Sequence, residues 1–306
     1  MRWSHEDLPR MDGKTALVTG GNSGLGLQAV TVLAARGARV LLACRTAAKG
    51  EEQAARLRAA QPDARIEVVA LDLADLASVR SLPQRLPADV GALDVLMNNA
   101  GVMAIPRTLT KDGFEMQLGT NHLGHFALTM VLADRWRTPG ARVVTVSSAV
   151  HWQGALHLDD LMLERSYGKW TAYNQSKLAN LLFHFALVRR LKARGWPVLA
   201  TAAHPGYTAT NLQQVSADAD PGLFGWIMTA LGNRLFAQDV AMGALPQLVA
   251  AIGQGVESGD YLGPEGPFEG WGRPKKVGCA AAAQREADQE ALWERSVALT
   301  GVDLPA

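Results

Sequence analysis

The chain has 306 residues, with 30 Lys and Arg against 29 Asp and Glu, so net charge gives no reason to expect a nucleic-acid or anionic-membrane partner. Its 48% apolar content can bury a sizeable core, enough for one large α/β domain or two small ones. Two cysteines, Cys44 and Cys279, are too few for a disulfide framework or a structural zinc site, and suit a reducing cytoplasm.

The charged stretch 1–10 is followed by no apolar h-region, and no signal peptide is expected. Charge or glycine breaks every apolar stretch short of the roughly 18–20 residues of a transmembrane helix.

Residues 14–19 (KTALVT) read as a short buried strand. Helical spacing follows over 25–36, with Leu25, Ala29, Val32 and Leu33 on one face and Gly37 as the stop. Strands are expected at 39–43, 65–71, 94–97, 142–146 and 197–203. Helices are expected at 49–60, 76–86, roughly 114–136, and 171–193. Most of the strands are apolar almost throughout, which fits burial on both faces of a parallel sheet. Strand–helix alternation of this kind predicts a single-domain α/β fold over 1–306, a Rossmann-type doubly wound parallel sheet with helices on both faces. No low-complexity linker and no repeat divides the chain. Residues 212–236 break the rhythm with a polar patch and an apolar cluster that includes Leu223, Phe224, Trp226 and Ile227. A mobile segment closing over an apolar substrate is favoured there; an oligomer contact or a peripheral membrane surface is the other reading. A terminal helix is expected near 280–299.

Directly after the first strand comes TGGNSGLG, residues 19–26. Glycines in a strand-to-helix turn permit positive φ and let backbone N–H groups approach a pyrophosphate. The helix that follows offers its N-terminal amides and positive dipole end. After the second strand stands Ala43-Cys44-Arg45-Thr46, with no carboxylate to accept from a ribose 2′-hydroxyl. Arg45 suits a 2′-phosphate through bidentate, charge-assisted hydrogen bonds, and Lys49 adds charge. NADP(H) is therefore favoured over NAD(H).

Tyr173 and Lys177 stand four apart in the long helix, on one face and one turn from each other. A phenol titrates near ~10, and a neighbouring ammonium favours the phenolate. Such a tyrosine can pass a proton to a carbonyl oxygen or take one from an alcohol. Ser147 and Ser148 stand at the carboxyl end of the fifth strand, where open α/β sheets place their ligands, and a hydroxyl there can hold the substrate oxygen.

TGGNSGLG, Asn98-Asn99-Ala100-Gly101, Asn121, Ser148, the Tyr173–Lys177 pair and His204-Pro205-Gly206 occur in the order of the short-chain dehydrogenase/reductase family, which the chain resembles over about 12–265. The strings ACR (43–45), TNHLGHF (120–126) and AYNQSKLANLLF (172–183) resemble its retinol-dehydrogenase-like branch. The resemblance implies Tyr173 as general acid/base, and Lys177 to lower its pKa and bind the nicotinamide ribose. Ser148 would orient the reacting oxygen and Asn121 would anchor a relay water. Gly20, Asn22, Ser23, Gly24, Leu25 and Gly26 would cradle the phosphates. Asp72 and Leu73 would meet the adenine, while Asn98, Ala100 and Gly101 line the cleft. Pro205, Gly206 and Thr208 would meet the nicotinamide side. The resemblance also implies about seven strands, the last at 260–262, and a homodimer or homotetramer. The stretch from Ser148 to Tyr173 is longer than the family's commonest form, as in the retinol-dehydrogenase-like branch. The membrane-bound members of that branch carry an N-terminal apolar anchor that is not seen here, and a cytoplasmic location is expected.

The histidines His122, His125, His151, His157 and His204 lie on different predicted elements without carboxylate or thiol partners at ligand spacing, and no metal is expected. Two other readings stand beside the carbonyl/alcohol enzyme: a non-catalytic NADP(H)-binding regulator on the same fold, and a C=C reductase.

Overall fold

The computed structural model describes residues 3–208 and 238–305. Eight strands form one sheet in the order β3-β2-β1-β4-β5-β6-β7-β8. The strands β1 (Thr15–Thr19), β2 (Arg39–Cys44), β3 (Arg65–Ala70), β4 (Val95–Asn98), β5 (Arg142–Val146), β6 (Leu199–Ala203) and β7 (Tyr261–Pro264) are parallel. The eighth, β8 (Pro274–Lys276), closes the edge antiparallel to β7 and was not foreseen. Three residues, two of them exposed lysines, carry too short and too polar a pattern to read as a strand, although lysine is what an edge strand tolerates.

Helices α1 (Gly24–Ala35) and α2 (Ala47–Ala60) cover one face of the sheet. The other face carries α3 (Leu76–Arg80), α4 (Leu82–Arg85), α5 (Met116–Leu118), α6 (Gly124–Val131) and α7 (Lys169–Ala193). Because both faces are covered, β1 and β4 are buried at every position, as their unbroken apolar runs require. Helix α8 (Val240–Ile252) joins α1 on the first face and is absent from the sequence reading, where Gly243 and Pro246 obscure its period. It forms because the Asp239 carboxylate caps it, accepting from the Met242 N–H at 2.7 Å, and because nearly its whole length is buried. Helix α9 (Glu286–Thr300) packs on α7, with Trp293 against Phe126 and Phe183, and ends at Gly301 in the left-handed conformation.

Three expected helices are interrupted. The stretch 76–86 breaks at Ser81, between α3 and α4, where Pro83 withholds an N–H. The stretch 114–136 is α5, a π turn (Gly119–Leu123), α6 and a 3-10 turn (Ala133–Arg135). Gly119 and Gly124 bracket the π turn where a side chain would not fit: a Cβ on Gly124 would lie 2.4 Å from the Leu73 carbonyl oxygen. The terminal helix begins later than expected, after a 3-10 turn (Ala281–Gln284).

The chain leaves β1 toward β2 on one side and returns as β4 on the other. The carboxyl ends of β1 and β4 therefore flank a crevice at the point where strand order reverses, the usual ligand position of open α/β sheets.

Candidate active site

The expected site residues gather at the carboxyl ends of successive strands. Gly20–Gly26 follow β1, Arg45 follows β2, Asp72 and Leu73 follow β3, Asn98–Gly101 end β4, Ser148 follows β5 and Pro205–Thr208 follow β6. The glycine turn is tight. Gly20 and Gly24 have φ of +66° and +51°, and a Cβ on Gly26 would lie 2.3 Å from the Gly20 carbonyl oxygen. Ser23 precedes α1 without a side-chain cap, and no acidic residue stands in the first turn, so the helix amides are left for an anion. Glycines that admit a close backbone approach and an uncapped helix start fit a dinucleotide pyrophosphate. Arg45 is exposed beside the uncapped start of α2, and Lys49 is exposed one turn on.

Thr19 ties the two sides of the crevice together. Its hydroxyl oxygen accepts from the N–H groups of Asn99 and Ala100, both at 2.9 Å, and its carbonyl accepts from Asn99 Nδ2 at 2.7 Å. Asn98 is turned away: its amide donates to Thr129 Oγ1 in the interior. Asn99, not singled out in the sequence, makes the crevice contacts instead and accepts from Gln247 of α8 at 3.2 Å. Asp72 bonds its own turn, accepting from the Ala74 N–H, and Leu73 is buried.

Asn121 lies in the π turn, a distortion common at functional sites. Its side chain is fully engaged: Oδ1 accepts from the Val102 N–H at 2.8 Å, while Nδ2 donates to the Val102 carbonyl and to Ser176 Oγ, both at 2.9 Å. His125 reaches back to it. His125 Nδ1 must donate to the Asn121 carbonyl at 3.0 Å, so Nε2 accepts the Thr19 hydroxyl at 2.9 Å. Burial pushes this imidazole down to about 4, which keeps it neutral. Sequence spacing singled out neither Thr19 nor this bridging role of His125.

Tyr173 and Lys177 are buried in α7, and the nearby Ser148 hydroxyl favours the Tyr173 phenolate. Lys177 Nζ lies 5.7 Å from the centre of the Tyr173 ring and donates to the Val146 carbonyl at 3.3 Å. A Cβ on Gly101 would stand 3.0 Å from Asn121 Oδ1 and 3.7 Å from Lys177 Nζ, so the β4 loop, the π turn and α7 meet at one point. Burial pushes Tyr173 up to about 12, against the pull of Ser148, and pushes Lys177 down to about 8. The phenol therefore moves opposite to the direction expected from a neighbouring ammonium, because desolvation outweighs the pull of Ser148.

Ser148 also caps a 3-10 turn (Ala149–Gln153). Its carbonyl accepts from His151 Nδ1 at 2.7 Å, and His151 Nε2 accepts from the Ala280 N–H at 3.2 Å. The long stretch between Ser148 and Tyr173 docks on α5 and α7: Gln117 donates to the Tyr167 hydroxyl, and Gln175 donates to the Leu161 carbonyl. Thr208 is buried and bonds the Pro205 carbonyl, whereas the apolar cluster 223–235 lies outside the described residues. Among the described residues no cluster suited to a metal ion occurs, and no helix is long and apolar enough to cross a membrane.

A family model described as short chain dehydrogenase matches residues 14–221. Retinol dehydrogenase 12 of Homo sapiens is 37% identical over 299 residues, covering 96% of this chain and 88% of its own length. The crystal structure of an uncharacterized protein from Mycobacterium paratuberculosis is 43% identical, with a TM-score of 0.80 and full coverage of both chains. A short chain dehydrogenase from Burkholderia cenocepacia, solved in complex with NADP, is 27% identical with a TM-score of 0.60, covering 79% of this chain and 92% of its own. With this crevice, this residue order and these relatives, the chain belongs to the short chain dehydrogenase family, in its retinol-dehydrogenase-like part, and is an oxidoreductase acting on CH–OH or C=O carbons with a nicotinamide dinucleotide.

Proposed function

We propose that the chain interconverts carbonyl compounds and alcohols with NADP(H), that Tyr173 is the general acid/base, and that the substrate is apolar. The observation that carries this reading is the convergence of a buried Tyr173, the Ser148 hydroxyl whose pull it feels, and a buried Lys177 that, among the described residues, has no carboxylate partner. Glycines 20, 24 and 26, the open amides of α1, and the Ala100–Gly101 wall would hold the dinucleotide, which when bound supplies or takes the hydride. Ser148 holds the substrate oxygen. Tyr173 gives that oxygen a proton during reduction or removes one during oxidation. At about 12 the phenol is too weakly acidic to serve as a base near neutrality, so the mechanism needs positive charge nearby. Lys177, at about 8, is still mostly protonated at pH 7 and lies beneath the ring. The Asn121 carbonyl has a second lone pair beside the one His125 uses, which suits it to hold the relay water.

Preference for NADP(H) rests on exposed Arg45 and Lys49 after β2, with no carboxylate among residues 43–46. An apolar substrate is supported by the half-exposed rings of Trp152 and Trp170, the latter edge-on to Tyr173 at 6.1 Å, and by relatives named for retinol.

The test is NADPH oxidation, followed by absorbance, against aldehydes, ketones and quinones of graded apolar size, with wild type beside Tyr173→Phe. Turnover is expected to fall by about 10²–10⁴-fold in the variant while NADPH affinity holds. Equal turnover in the two proteins removes Tyr173 from the chemistry.

A further inference from the structure

The turn after β6 is held from a part of the chain far away in sequence. His204 follows that strand directly and its side chain is fully buried, while Glu269, in the loop between β7 and β8, is 23% exposed. His204 Nε2 and Glu269 Oε2 stand 2.9 Å apart. His204 Nδ1 accepts from the Gly206 N–H at 3.3 Å, so the ring proton belongs on Nε2 and is donated to the carboxylate. The ring has little room on its other side: a Cβ on Gly263 of β7 would lie 2.0 Å from Nε2.

The loop that brings Glu269 is itself unusual. Phe268 and Glu269 both adopt positive φ, +53° and +55°, a conformation that L side chains avoid. Two such residues in succession persist only where surrounding contacts over-determine them, and such sites gather around function. Besides contacts within itself, this loop grips the Pro205–Gly206 turn. The Tyr207 N–H donates to the Gly270 carbonyl at 2.7 Å. Gly206 has φ +68°, and a Cβ there would lie 2.5 Å from that same carbonyl oxygen. Gln238 completes the grip, donating to the Pro205 carbonyl at 2.6 Å and accepting from the Gly272 N–H at 3.2 Å.

We propose that Glu269 is a positioning residue for the nicotinamide end of the cleft: by holding the His204 ring in one tautomer and place, it sets the Pro205–Gly206 turn that the nicotinamide meets. This rests on the function proposed above. Glu269 touches neither dinucleotide nor substrate and acts through His204. Its effect is therefore confined to ligands that reach the turn. The adenine half of the dinucleotide, bound between the ends of β1 and β3, does not feel it.

The test compares wild type, Glu269→Ala and Glu269→Gln by calorimetric binding of NADPH and of adenosine 2′,5′-bisphosphate, which carries only the adenine end. Glu269→Ala is expected to weaken NADPH by about tenfold, the factor of one charge-assisted hydrogen bond, and to leave the fragment unchanged. Glu269→Gln, which keeps an acceptor for Nε2–H, is expected to restore most of the NADPH affinity. A merely structural role would lower thermal stability in Glu269→Ala and shift both ligands alike or neither; either result overturns the proposal. In wild type, ¹⁵N spectra of the histidine rings are expected to show His204 as the Nε2–H tautomer before ligand is added. Its signals should then move with NADPH and stay with the fragment. A different tautomer, or equal response to both ligands, refutes the proposal without reliance on any variant. If wild type binds neither ligand, the proposed function falls and takes this inference with it; if wild type binds both and Glu269→Ala binds NADPH as tightly, only the inference falls.

Discussion

The cofactor side of the cleft and the substrate side are built by different means. From β1 to β4 the main device is consecutive: a strand, a glycine turn and a helix start follow one another, and distant residues only brace it, Asn99 at the Thr19 carbonyl and Gln247 at the Leu25 carbonyl. On the substrate side more of the supporting contacts reach across the chain. His151 beside Ser148 accepts from Ala280, Gln117 beside the π turn donates to Tyr167, and His204 pairs with Glu269. A local device is robust to change elsewhere, whereas a long-range one couples the reacting groups to the packing of loops and of the C-terminal segment.

The largest expected effect lies on the substrate side, at Lys177, where function and stability oppose each other. Burial lowers this ammonium from 10.5 to about 8. A cation whose folded pKa lies below its unfolded value costs stability whenever it is charged. The cost is full below pH 8, fades between 8 and 10.5, and is gone above that range. At about 1.4 kcal/mol per pH unit it amounts to roughly 3 kcal/mol. Lys177→Met, which keeps the length and removes the charge, is expected to unfold at higher urea than wild type at pH 7 and to lose most of that advantage by pH 10.5. Turnover is expected to disappear with the charge. A Met variant less stable than wild type at pH 7 would mean that the lost Val146 hydrogen bond outweighs the desolvation of the ammonium.

On the cofactor side the matching change is Gly26→Ala. The new methyl would lie 2.3 Å from the Gly20 carbonyl oxygen and 2.6 Å from Asn99 Nδ2, and a backbone carbonyl does not swing aside as a side-chain tip does. Destabilisation of about 1–3 kcal/mol, the usual range for overpacking, is expected in chemical unfolding. Dinucleotide affinity should fall with it, because the turn that moves is the one that would cradle the phosphates. If affinity is unchanged while stability drops, the cradle is more adaptable than its close contacts indicate.

The same contrast explains what could be read from residues alone. The parallel sheet, its order of alternation and the glycine turn were legible because each is written in adjacent residues, as apolar runs and punctuation. So were Ser148 and the Tyr173–Lys177 pair, which the strand end and one helical turn bring into position. Glu269 was not legible: a glutamate in a Pro- and Gly-rich loop has no pattern linking it to a histidine that stands before it in the chain, and only the fold of β7 and β8 joins them. Nothing in the residues around His125 shows its role, yet its neutral ring bridges Thr19 and Asn121, two positions joined only when β1 packs beside α6. Helix α8 was hidden by Gly243 and Pro246, which break the helical pattern in the residues, although the Asp239 cap and burial of nearly its whole length hold it.

The smallest effect expected here tests whether the local device also sets coenzyme choice. Arg45 is exposed, so a 2′-phosphate contact there is partly screened by water and salt. A bidentate guanidinium–phosphate pair still adds geometry that a lone surface charge lacks. Arg45→Asp is expected to weaken NADPH by about tenfold and to change NADH by much less, since an aspartate there can accept from a ribose 2′-hydroxyl. The measurement is the pair of dissociation constants at two salt concentrations. A difference between coenzymes that shrinks as salt rises assigns the preference to charge at Arg45. Equal losses for both coenzymes would place the preference elsewhere, with the exposed ammonium of Lys49 the next position to change.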